Sequence, residues 1–431
     1  MAKLVVRWIL ASAFFAAVPA AAETETWSLH AQTTFVEQFH PGFRSLYRGP
    51  NSMDPAARGN ETFDATIFAG VRLWEGGELY ANPEIDQGFG LSNTLGVAGY
   101  VSGEAYKVGK AVPYGRLQRL FFRQTFDLGG ESENVDAGPN QLASTRSHDN
   151  LVLTFGKFSV GDVFDGNAYA HDQRADFLNW SIIDSGAFDY AADAWGYTYG
   201  ATAELSQGRW TFRAGLFDLS RVPNTTQLQR GLAQFEIVGE VEERHTLLGA
   251  PGKLKLLGFL NRGRMGDYNE AVAVGAPPKM DTVRKYASRP GVALNLEQQI
   301  SDDVGLFSRL SWNDGSKEAY EFSEINRSIA LGLSLKGAGW GRPSDVIGVA
   351  GVVNGISAAA QRYLAAGGMG ILIGDGSLVH YGSEDILEAY YSAALTDWLT
   401  ASADYQFVAN PAYNRDRGPI SVLGLRLHAQ I

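Results

Sequence analysis

The chain has 431 residues, 50 of them glycine and none cysteine, with 12% aromatic side chains and a formal charge of −11. That acidic balance argues against a nucleic-acid partner, and the missing cysteines remove both a disulfide framework and a thiolate metal site. After the first few residues no apolar run comes near the roughly 20 residues that a membrane-crossing helix needs.

Residues 1–22 read as an export signal. Lys3 and Arg7 give a positive start, Trp8 to Val18 a short apolar run, and Ala20-Ala21-Ala22 a small-residue cleavage site. The expected mature chain, 23–431, is one domain with 34 basic residues against 47 acidic ones. It begins at once on an alternating segment: Trp27, Leu29, Ala31, Thr33 and Phe35 on one side, Ser28, His30, Gln32 and Thr34 on the other. Period two with one polar face is the signature of a half-buried strand. The same pattern returns with Phe63, Ala65, Ile67, Ala69, Val71 and Leu73, and again with Leu120, Phe122, Phe126 and Leu128. Near the end it recurs in Leu399, Ala401, Ala403, Tyr405 and Phe407. The last segment alternates most cleanly, with Leu423, Leu425, Leu427, Ala429 and Ile431 opposite Arg426, His428 and Gln430.

Short links at 75–77, 207–208, 301–303 and 396–397 take turns with long ones near 38–60, 87–115, 159–195, 263–289, 313–324 and 354–384. Tight turns on one side and long loops on the other are the habit of bacterial outer-membrane barrels. If both ends and all short links share one side, the chain makes about sixteen strands, with 368–380 inside a long loop. The links around 129–149 and 337–345 are then long for the tight side. Trp74, Trp210 and Trp398 sit beside short turns, where an interfacial girdle belongs. The expected fold is all-β: a transmembrane antiparallel β-barrel. Gly355–Ala366 is expected to be a short helix in an outer loop. Gly88-Phe89-Gly90 lacks the third glycine of a dinucleotide fingerprint, and seven scattered histidines give no metal spacing. No cofactor is expected.

Three stretches add to the pattern: EIDQGFGLSNTLGVAGYVSGEAYKVGKAVPYGRLQRLFFRQTFDLGG at 84–130, TFGKFSVGDVFDGNAYAHDQRADFLNWSIIDSGAFDYAADAWGYTY at 154–199, and the final ILEAYYSAALTDWLTASADYQFVANPAYNRDRGPISVLGLRLHAQI. Together they resemble the carbohydrate-selective porins of Gram-negative outer membranes, the OprB type. The resemblance runs over nearly all of the mature chain. It implies a sixteen-stranded barrel in the outer membrane through which sugars, glucose above all, diffuse passively. Such porins usually end on Phe, and this chain ends on Ile431. The departure bears on assembly and leaves the implied transport untouched.

A sugar offers hydroxyls around its rim and CH faces above and below, so a weak site needs charged hydrogen-bonding groups beside an aromatic surface. The loop 159–195 carries that mixture in Asp165, Asn167, Tyr169, His171, Asp172, Arg174, Asp176, Asn179 and Trp180, and it is the expected constriction. A basic ladder of Arg119 and Arg123, about 13 Å apart along one strand, is expected to point inward with Asp127, opposite acids drawn from Glu84, Asp86 and Glu104. Arg426 joins this pore lining. The expected partners are small sugars, with outer-membrane lipid and lipopolysaccharide around the wall, as a monomer or a homotrimer. Two other readings stay open: a barrel hydrolase using Ser, His and acid groups near 144–172, and a soluble secreted protein that binds polysaccharide.

Overall fold

The computed structural model describes residues 24–105, 107–322 and 324–431; the expected leader, 1–22, lies outside them. Sixteen strands follow in order: β1 (Trp27–His40), β2 (Arg58–Trp74), β3 (Gly77–Gly88), β4 (Lys110–Val135), β5 (Ser144–Phe158), β6 (Thr198–Gln207), β7 (Trp210–Asp218) and β8 (Phe235–Leu247). The second half comprises β9 (Ala250–Met265), β10 (Lys285–Ser301), β11 (Val304–Asn313), β12 (Arg327–Gly337), β13 (Arg342–Gly355), β14 (Glu384–Ala394), β15 (Leu399–Ala409) and β16 (Ile420–Gln430). Each pairs antiparallel with the next, and β16 returns to β1, Gln32 opposite Gln430 and Phe39 opposite Leu423. Closure leaves no strand edge bare, which hydrocarbon demands because it cannot solvate a free N–H or C=O.

The sides fall as the alternation requires. Leu425 is 45% exposed on the outer face while its neighbour Arg426 is 1% exposed inside. On β2, Phe63, Ile67 and Val71 face outward, and Thr62, Asp64 and Thr66 are buried within. Trp74, Trp210 and Trp398, joined by Trp27 and Trp340, are exposed at the tight-turn end. Because the chain has no cysteine, single nitroxide labels can be attached at Leu425→Cys and His428→Cys. The first is expected to relax with lipid-soluble oxygen and the second with a water-soluble nickel chelate; equal responses would contradict the barrel orientation.

The links obey the expected asymmetry, with two further long ones, 219–234 and 410–419. Segment 368–380 lies in the long link between β13 and β14, after a helix at Ala358–Ala365. The two links that looked too long on the tight side are not loops of that length. β13 already begins at Arg342, so one is a four-residue turn, and most of 129–149 is strand, because β4 runs for 26 residues. β4 also carries a bulge. Asn82 pairs with Arg119 but Pro83 with Leu117, so Gln118 is an extra residue where the proline of β3 has no N–H to give.

Two long links fold back into the lumen: 89–109, and 159–197 with its single helical turn α1 (Trp180–Ile183). Their apolar side chains join the inward aromatics of the wall in one cluster, including Tyr100, Trp180 and Phe188 beside Phe121, Phe217 and Phe259. The lumen is therefore narrowed from inside.

Candidate functional site

An inward loop with little regular structure must find partners for its backbone groups elsewhere. Here the charged side of the wall supplies them. Arg309 of β11 donates to the carbonyls of Asp165, Ala170 and Ile182. Arg426 of β16 donates to those of Gln173, Ala175 and Asp176. Glu388 of β14 accepts from the amides of Leu178 and Asn179, and Glu384 from those of Ala98 and Gly99 in the neighbouring loop. Asp189 pairs with Arg289 at 2.6 Å and also accepts the amides of Tyr320, Glu321 and Phe322. Much of the polar lumen is thus engaged in holding the loops.

Between the inward loops and the β1–β4 wall lies a cavity of about 430 Å³. Arg174 reaches across it, with a guanidinium nitrogen 2.9 Å from Glu104, 3.6 Å from Asp64 and 3.8 Å from Glu84. Arg119 makes a two-pronged pair with Asp162 at 2.6 and 2.7 Å. Arg116 lies 3.3 Å from Asp193, its guanidinium 3.4 Å above the Trp195 ring, and Arg119 stands 5.0 Å from the Tyr197 ring. On the far side Tyr100 stacks on Trp180 at 5.3 Å, and Trp180 on Phe322 at 5.7 Å. Burial raises the carboxyl of Asp184 to about 6, although His171, 3.9 Å away, opposes the shift. Burial likewise lowers the ammonium of Lys107 to about 8 against the pull of Glu321 and Asp189.

Of the residues singled out for the constriction, His171, Asp172, Arg174 and Trp180 line this cavity. Of the other five, Asp165, Asn167 and Asn179 are buried in anchoring contacts, whereas Tyr169 and Asp176 are half-buried and border a second opening of the lumen. Asp165 accepts from Ser185 and Asn295, and Asn167 donates to Asn295. Asp176 accepts the amides of His171 and Asp172, and Asn179 caps α1 while donating to Gly99. Of the wall set, Glu84, Glu104 and Arg119 line the cavity, Glu104 from the inward loop and not from a strand. Asp86 is buried on β3, Arg123 donates to the carbonyl of Asn140, and Asp127 accepts from the Ser147 amide at the tight-turn end. Arg426 sits behind the loop as one of its anchors.

The expected basic stripe facing an acidic one is corrected. Glu84 is in register with Arg116 on the adjacent strand, so acids and arginines adjoin each other and do not stand on opposite walls. Lining residues not foreseen include Tyr100, Lys107, Asp162, Trp195 and Phe322, and Arg116 adjoins them through its contacts with Asp193 and Trp195. Strict alternation from Arg119 sends Arg116 into lipid; the bulge at Gln118 turns it inward.

A closed sixteen-stranded barrel with a lipid-facing belt and a lumen narrowed by inward loops is an outer-membrane porin. The profile of the carbohydrate-selective porin family, OprB, matches residues 50–431. The chain belongs to that family. Porin AaxA of Chlamydia muridarum is 22% identical over 334 residues, which make up 74% of this chain and 62% of that protein, so the chain spans less than two thirds of this relative. The high-pH structure of Pseudomonas putida OprB superposes with a TM-score of 0.71 at 15% identity, covering 94% of each chain. The outer-membrane channel DcaP of Acinetobacter baumannii gives 0.52 at 8% identity, covering 96% of this chain and all of that one. At such identities these structures speak for the fold alone.

Proposed function

We propose that this chain, exported with residues 1–22 as its leader, is a passive outer-membrane channel for glucose and similar sugars. Transport needs no catalytic step and no energy coupling. The observation that carries the reading is the cavity itself. Charged groups that can form strong hydrogen bonds, Arg119, Arg174, Glu84 and Glu104, share it with the aromatic faces of Tyr100, Trp180 and Phe322. A pyranose meets both kinds of surface at once: hydroxyls against the charges, CH face against the rings. The hydrolase reading finds no such support, since His148 belongs to the tight-turn end of β5 and His171 to the lumen.

Liposomes carrying the folded barrel are expected to swell in isosmotic glucose, and glucose should interrupt the ion current of single channels. Half-block on the order of millimolar corresponds to about 4 kcal/mol, weak enough for release. Swelling no faster than in protein-free liposomes would overturn the proposal.

A further inference from the structure

The tight-turn side has one link that does not stay outside. β3 leaves β4 at the Gly77–Gln124 pair, and β5 meets β6 only from Asn150, so residues 125–135 and 144–149 form a two-stranded ribbon beyond the barrel rim. The ribbon is bulged on either side of Gly129, and Gly129 and Gly130 adopt φ of 109° and 88°, a region that side chains resist. There the ribbon bends under the mouth and sends its link, 136–143, up into the lumen.

Four contacts hold it there. Leu142 is 1% exposed within the cluster of Tyr80 and Phe121, and its amide donates to the Tyr80 hydroxyl at 3.3 Å. Arg123 donates to the Asn140 carbonyl at 2.9 Å, and buried Asn82 donates to Asn140 Oδ1 at 2.8 Å. Asn82 is five residues above the rim at Gly77, so at ~3.3 Å per residue the tip stands roughly 16 Å inside. At the base Glu25 clasps the link twice: its amide donates to the Ala143 carbonyl at 3.0 Å, and its carboxylate accepts the Ala143 amide at 2.8 Å. Pro139 and Asn140 then face the same cavity as Arg119 and Arg174. Asn140 holds φ at 57°, which asparagine tolerates better than most residues.

We propose that residues 136–143 are an inward lip on the periplasmic side of the sugar path, with Asn140 contacting the solute and Glu25 positioning the lip. Asn82 occupies Oδ1 of Asn140, which leaves the amide nitrogen as a donor toward a departing hydroxyl. The contact role of Asn140 rests on the sugar-channel reading; the lip as an obstruction does not.

The test uses the full folded barrel in planar bilayers, with maltose added from the periplasmic face. Asn140→Ala should speed maltose release roughly threefold to tenfold, the worth of one lost hydrogen bond. Glu25→Ala should add current flickering between two levels, since the lip loses the carboxylate half of its clasp and keeps only the backbone half. Removing residues 131–147 and rejoining the strands should raise unit conductance in potassium chloride without any sugar present. Unchanged release rates in Asn140→Ala together with quiet, wild-type conductance in Glu25→Ala would overturn the lip, even if the shortened hairpin fails to fold. A wild-type channel that maltose and glucose never block, but whose conductance rises on shortening, would refute the sugar path and keep the obstruction.

Discussion

Arg174→Gln is expected to make the channel several-fold more selective for potassium over chloride and to weaken sugar block about tenfold. The guanidinium lies within 4 Å of Asp64, Glu84 and Glu104, and at an effective dielectric near 20 a unit pair at that distance is worth about 4 kcal/mol. Without it three carboxylates face the permeating ions with no counter-charge from this position, and a sugar loses a charge-assisted donor. The shift in reversal potential across a salt gradient should shrink between 0.1 M and 1 M salt, where the Debye length falls from about 10 Å to about 3 Å. Arg174→Lys should land between the two, because an ammonium keeps the charge but lacks the planar fork that spans several carboxylates. A reversal potential identical to wild type in Arg174→Gln would show that this cluster does not set the field of the pore.

A larger structural effect is expected from Arg309→Met. Arg309 is 2% exposed and ties three carbonyls of the inward loop to β11, with Asp165 at 3.5 Å. Removing one partner of a buried ion pair costs about 3–5 kcal/mol, because the other charge stays behind in a dry place. The barrel wall has its own hydrogen-bonded ladders and should persist, whereas the loop should come away. Unit conductance should rise, the open-channel current should become noisy, and glucose should cease to interrupt it. Asp165→Asn, which keeps the side-chain oxygen while relieving the stranded charge, should restore part of the block in the double variant. Normal conductance with normal glucose block in a folded Arg309→Met barrel would mean that Arg309 is not what holds the loop.

The barrel was legible because its wall follows a simple rule. Leu425 and Arg426 declare their sides from position alone, and the order of short and long links yields the strand number. The inward course of 159–197 was also readable from its mixture of polar and aromatic residues. Within that loop, sequence could not separate Arg174, which lines the cavity, from Asp165, which is buried 2% exposed against Asn295 and Ser185. Both are charged residues in one polar stretch; only the three-dimensional course of the chain decides which meets solvent. Arg116 was hidden by the bulge opposite Pro83, since one extra residue reverses the side of everything beyond it. The lip was hidden for a related reason. Gly129 and Gly130 read as turn residues, and nothing local says that the strands resume after them and bend inward.

The seam between β1 and β16 sets the order in which this molecule can form. Thr34 and His428 touch at 3.1 Å although 394 residues separate them, while every other strand pairs with its immediate successor. Hairpins can therefore arise early and locally, but the final ring closure must wait until both ends meet, and contacts so distant along the chain make for slow maturation. Until then the growing sheet carries two unsatisfied margins that would stick to any similar margin nearby. Pairing Gln32 with Gln430 and Phe39 with Leu423 removes both margins in a single event, so the molecule passes from sticky to inert only at its last step.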